Sequence, residues 1–216
     1  MALVKYNNNS ISAVTELAAV PAGALTHIKT VTSTGDSSIQ FINGSSSVVF
    51  DSTYPIYVLK FINCDTSTNQ NVYLDFTDDT SSHSFDLNIQ NSVFVAEHAE
   101  DGSSVARLIY SSSYDVANGT NAAGTTSAYI FNINKGGMNS GSDSSASGEI
   151  YFFNPSSTTF VKHFMLRINS MSEYPGSTVQ HMGGYVNTTA AVTGFKIHGV
   201  GGNMTGTYKL YGIKDS

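Results

Sequence analysis

The side chains best suited to chemistry in this chain are six histidines, sixteen carboxylic acids and one cysteine. His27, His83, His98, His163, His181 and His198 stand far apart. No His-x-His or His-Glu-x-x-His spacing puts two nitrogen ligands on one face, so no zinc site is expected. His163 precedes Phe164 in an alternating run and reads as a surface or half-buried strand residue. The densest set of oxygen ligands is Glu97-His98-Ala99-Glu100-Asp101-Gly102. It lacks the alternating Asp/Asn pattern of an EF-hand loop and is expected to be a solvated turn, as is Asp78-Asp79. Carboxylate pairs of the glycosidase type are defined by their separation in space, which leaves that chemistry open. Most acids nevertheless fall in turns or at outward strand positions, so a glycan-degrading enzyme is the weakest reading. No Gly-x-Ser-x-Gly elbow or phosphate-binding glycine loop occurs. Cys64, flanked by Asn63 and Asp65, reads as a small packing residue. The sequence therefore nominates no catalytic, cofactor-binding or metal-ligating residue and no enzyme activity.

Sugar recognition is the chemistry that survives this screen. The chain has 12 Tyr and no Trp, so any platform for a sugar ring falls to tyrosines such as Tyr110, Tyr114, Tyr174 or Tyr185. Packing or a protein interface is the favoured reading of these residues, since tyrosine at a strand edge joins an apolar ring to a wet hydroxyl. Asn-x-Ser/Thr sequons at Asn8, Asn43, Asn118, Asn187 and Asn203 follow from the composition and carry weight only in a secreted chain.

The elements that would position these groups are strands. In Tyr57–Asn63, Tyr57, Leu59 and Phe61 share one face and Val58, Lys60 and Ile62 the other. In Val72–Phe76, Val72, Leu74 and Phe76 are expected inward, with Tyr73 and Asp75 outward. Phe85–Ile89 repeats the pattern, with Asp86 and Asn88 on the wet face. Further strands are expected at 26–31, 39–42, 48–50, 107–110, 129–133, 149–153, 160–168, 192–197 and 207–213. They are separated by turn residues such as Asn43-Gly44, Asn118-Gly119, Asn154-Pro155, Pro175-Gly176 and Gly201-Gly202-Asn203. A dozen short strands at this spacing predict a sandwich or barrel. Pro21 and Gly23 limit any helix within 13–25 to a turn or two. Residues 1–25 are expected to be an N-terminal arm or attachment segment, and 26–216 a single β-sandwich domain. The stretch Gly136–Gly148 is expected to be a long exposed loop.

Composition narrows the partners. Charged residues are 12% of the chain and the net charge is −6, which argues against the clustered cations that nucleic acid requires. No segment approaches the roughly 20 apolar residues of a membrane span, so no membrane insertion is expected. The first residues lack the apolar run of a signal peptide, which points to synthesis in a cytoplasm. A chain of 216 residues buries about 70–75% of its extended surface, enough for a core without metal or disulfide. No cofactor is expected.

Three segments carry a resemblance: Tyr54-Pro-Ile-Tyr-Val-Leu-Lys-Phe-Ile-Asn63, Phe153-Asn-Pro-Ser-Ser-Thr-Thr-Phe-Val-Lys-His-Phe164 and Gly206-Thr-Tyr-Lys-Leu-Tyr-Gly-Ile-Lys214. In order, over most of the chain from Thr26 onward, the sequence resembles uncharacterised virion proteins of marine bacteriophages. The resemblance implies an all-β, jelly-roll-like antiparallel β-sandwich displayed on a virion as a head or tail fibre or as a capsid decoration (cement) protein. It also implies other virion proteins as partners, a homo-oligomer with a trimer favoured, and assembly in the host cytoplasm. A host cell-surface glycan is the ligand class for an attachment role. The last strand agrees, because Tyr208 and Leu210 occupy one face and Tyr211 and Ile213 the other, leaving one apolar face for a neighbour.

Overall fold

The computed structural model describes residues 25–102, 106–110, 112–117, 127–131, 141–171 and 176–214. Within them the strands are β1 (Leu25–Asp36), β2 (Ser38–Ile42), β3 (Ile56–Thr66), β4 (Val72–Thr77), β5 (Ile89–Ala99) and β6 (Ala106–Tyr110). They continue as β7 (Ala128–Phe131), β8 (Ala146–Phe153), β9 (Lys162–Met171), β10 (Gly176–Val186), β11 (Gly194–Gly199) and β12 (Met204–Ile213). The helical content of the described residues is one 3-10 turn, Ser112–Tyr114, and no helix among them is long and apolar enough to cross a membrane.

Eight strands form one antiparallel sheet in the order β1-β12-β3-β8-β9-β10-β5-β6, and four form a second in the order β2-β11-β4-β7. The chain winds back on itself: β1 lies on β12 in the larger sheet while β2 lies on β11 in the smaller. First and last strands thus tie the two layers together, giving the sandwich that period-two patterning predicts as one of two forms, in the jelly-roll-like arrangement that the resemblance implies.

Alternation of side chains fills the space between the sheets. Tyr57, Leu59 and Phe61 of β3 enter the core as expected, with Phe164, Leu166 and Ile168 of β9 and with Leu74 and Phe76 of β4. Phe195 sits at the centre, its ring 4.5 Å from Phe152, 5.1 Å from Phe41 and 5.8 Å from Phe50. Such aromatic pairs add about 0.5–1.5 kcal/mol each beyond the area they bury.

Several expectations are corrected. The segment 85–89 is not a strand until Ile89, because Ser82 and Phe85 take positive φ of 51° and 36°. Residues 48–50 form no strand either, since Ser46 and Ser47 at φ 50° and 69° close a tight loop in which the Gly44 amide donates to the Val48 carbonyl. β10 and all of β5 beyond Ile89, which form the longest uninterrupted pair, are strands that the sequence pattern does not predict. β9 begins at Lys162, whose ammonium donates to the carbonyls of Phe160 (2.6 Å) and Thr188 (3.2 Å), and this leaves Phe160 exposed outside the sheet. β8 starts at Ala146, so the expected loop ends earlier than Gly148. Leu25, assigned to the arm, opens β1. Residues 1–24, the Asn118-Gly119 turn, Gly136–Ser140, Tyr174 and Pro175 lie outside the described residues.

Candidate functional site

Strand geometry sends every second side chain of the larger sheet away from the core, and the pairing register aligns these into rows. One row takes a residue from each of the eight strands: Thr30, Lys209, Lys60, Glu149, Arg167, His181, Phe94 and Tyr110. At about 4.8 Å per strand the row spans roughly 34 Å. Lys60 Nζ lies 3.5 Å from Glu149 Oε2. Arg167, exposed on β9 across from Glu149, makes no ion pair among the described residues. Three of the chain's ten Lys and Arg therefore share this row with one of its sixteen acids.

Beside the row the surface is concave. β3 loses register with β8 between Phe61 and Cys64, and there a hollow of about 590 Å³ opens between Lys60, Ile62, Ser147, Glu149, Arg167 and Asn169. Asn169, which lines the hollow, donates through Nδ2 to Ser177 Oγ (3.0 Å) and to the Thr178 carbonyl (3.2 Å). The adjoining row, His27, Tyr211, Val58, Tyr151, Met165, Gly183 and Ser92, is half apolar. Its rings and those of the charged row are pre-set: His27 meets Tyr211 edge-on at 5.5 Å, and His181 stacks on Phe94 at 5.0 Å. Burial first, then the Glu149 charge, pushes the Tyr151 hydroxyl above the ordinary range for tyrosine. Met165, Tyr110 and Leu108 on the same face are 58%, 66% and 74% exposed.

No family model matches this chain, and no curated protein or solved structure matches it.

The residues nominated from sequence are scattered relative to this face. His27, His98, His163 and His181 belong to it but on separate strands, and His83 lies in the segment before β5. Among the described residues no group of three His, Cys, Asp or Glu is placed to hold a metal ion. The acidic loop is corrected: Glu97, His98 and Ala99 are the end of β5, and only Glu100–Gly102 turn. Glu97 faces inward and its Oε2 takes the Arg107 Nε–H at 2.7 Å, so its charge is already answered by β6. Asp79 closes its own turn, accepting the Ser84 amide at 2.8 Å and hydroxyl at 2.5 Å, while Asp78 accepts from Thr188 Oγ1 at 3.3 Å. Of the tyrosines, Tyr110 donates its hydroxyl to Asp115 (2.7 Å), Tyr114 packs edge-on against Tyr129, and Tyr185 meets His163 at 5.9 Å. Cys64 is buried, its thiol pushed up to about 11 chiefly by burial.

A second polar cluster escaped the sequence reading. Asp75, expected outward and wet, is 5% exposed on the outer side of the smaller sheet. Its Oδ2 lies 2.7 Å from His198 Nε2 and 3.2 Å from Lys196 Nζ, both on the neighbouring β11. Burial opposes its ionisation, but hydrogen bonds from His198 and Ser127 and the charges of His198 and Lys196 outweigh that and hold the carboxyl below its ordinary value. Tyr73 lies 5.5 Å from the His198 ring and 4.8 Å from Tyr129, and Phe85 lies over Lys196 at 5.0 Å. The cluster clamps β4 to β11 from outside. The row of Lys209, Lys60, Glu149 and Arg167 escaped as well, because its members are distant in sequence and only the register joins them.

Proposed function

We propose that this chain is a non-enzymatic surface module of a bacteriophage particle, an oligomeric head or tail appendage that presents the outer face of its larger sheet. The observation that carries this reading is the face itself: eight strands wide, bare of any described element, and exposing Met165, Leu108 and Tyr110 beside a charged row. A sheet face of this breadth and mixed character suits contact with a partner or ligand better than contact with water alone. The sandwich that holds it is stabilised by burial and by clamps such as Asp75 to β11, so it needs no cross-link. The resemblance to marine phage virion proteins supplies the setting, and residues 1–24 are assigned to attachment on the particle.

A capsid decoration protein is the second reading, favoured by the same apolar side chains if they seat on capsid subunits. Gold-labelled antibody on intact particles separates the two. Label confined to tail or vertices supports the appendage, an even coat supports decoration, and particles without label reject both.

A further inference from the structure

We infer that the outer face of the larger sheet binds an acidic polysaccharide, with sulfate or carboxylate groups seated along the Lys209, Lys60 and Arg167 row. The inference rests on the proposed display role and names the ligand class of that face.

Three observations converge on it. The chain as a whole is acidic, with 16 acids against 10 Lys and Arg, yet this row holds three cations against one carboxylate. A row with an excess of cations on a negatively charged protein draws anionic groups to that place. Spacing comes next: Lys60 and Arg167 are two strands apart, roughly 10 Å, a stride comparable with a disaccharide. A polymer charged on every second sugar would bring one anionic group to Lys60 and the next to Arg167, with Lys209 one strand beyond Lys60.

The surroundings offer partners for sugar hydroxyls. Glu149 sits between Lys60 and Arg167, where its carboxylate, paired with Lys60 at 3.5 Å, accepts sugar hydroxyls. Ser147 and Asn169 add neutral donors and acceptors around the 590 Å³ hollow. In the next row Tyr151 and Tyr211 present half-buried rings, and Gly183 leaves a gap in which a side chain built at its Cβ would touch nothing within 4 Å. A flat, ring-lined strip beside a charged strip is the shape an extended glycan needs.

The full chain is assayed by calorimetry or affinity retention against dextran sulfate, alginate, neutral dextran and oligo(dT), at low and high salt. Binding to a charged glycan, absent for neutral dextran and weakened as salt rises, is expected. The double variant Lys60→Gln/Arg167→Gln should lose at least tenfold in affinity, and Gly183→Trp, placed in open space, should block binding with its thermal unfolding unchanged. Unaltered affinity in both folded variants overturns the inference, as does equal retention on neutral dextran. Tighter binding to oligo(dT) overturns it in favour of nucleic acid, and self-association lost in the double variant overturns it in favour of a second copy of the chain. If label marks the particle but no charged glycan binds, the inference falls and the display role stands. If glycan binds but particles carry no label, the display role falls instead.

Discussion

His198 and Asp75 meet across the outer side of the smaller sheet, Nε2 to Oδ2 at 2.7 Å, with Lys196 Nζ at 3.2 Å from the same oxygen. Asp75 is almost fully buried while its two partners keep about a quarter of their side-chain surface. Removing the carboxylate strands two basic groups against β4, so Asp75→Leu is expected to cost about 3 kcal/mol, near the low end for a broken buried pair. Urea unfolding measures it, and a cost below about 1 kcal/mol would show that the clamp is not stabilising.

The same carboxylate sets a pH response. Its folded pKa lies below the ordinary 3.8, so its contribution is fully present above 3.8 and is lost as pH falls through the lower folded value. Stability of the wild type is therefore expected to fall more steeply than that of Asp75→Asn below about pH 4. Parallel acid titrations of the two proteins by thermal unfolding would refute that linkage.

Adjacent glycines on β10 offer a test of which way the sheet faces. A Cβ at Gly184 would stand 2.5 Å from the Gln90 carbonyl oxygen and 2.8 Å from Phe164 Cζ, whereas one at Gly183 meets nothing within 4 Å. Gly184→Ala is expected to destabilise by about 1–3 kcal/mol and Gly183→Ala by less than about 0.5 kcal/mol. Thermal melts in which the order is reversed would mean that the register of β10 is wrong.

Cys64 is 2% exposed with its thiol pushed up to about 11, so little thiolate exists at pH 8. A thiol reagent should leave it unmodified in buffer and label it fully in urea. Rapid labelling of the native protein would show that the bulge beside Cys64 opens.

How far the sequence carried is best seen in particular strands. Tyr57, Leu59 and Phe61 read correctly because apolar residues alternate without interruption and the facing layer is equally apolar. β5 and β10 were illegible because polar residues stand at inward positions. Asn91 is buried by exchanging bonds with the Val116 backbone, and Gln180 donates to the Tyr129 carbonyl at 2.8 Å. Those partners lie 25 and 51 residues away, so nothing local shows that the Asn91 Oδ1 and Gln180 Nε2 atoms find partners in the core. Tyr73 and Asp75 misled for the opposite reason: a correct alternation was read as inside and outside, while Phe85 and the His198 cluster cover the outer side of the sheet too. The candidate face was legible only as single tyrosines. Its charged row exists through pairing alone, which patterning does not encode.

The proposed display on a phage particle turns the broad sheet face outward, and a density map of the intact particle checks this. The sandwich is expected on the particle exterior, tethered through its N-terminal segment, with Lys60, Arg167 and Tyr110 reachable from solvent. Absence of the chain from the particle, or that face sealed against the capsid shell, would contradict it.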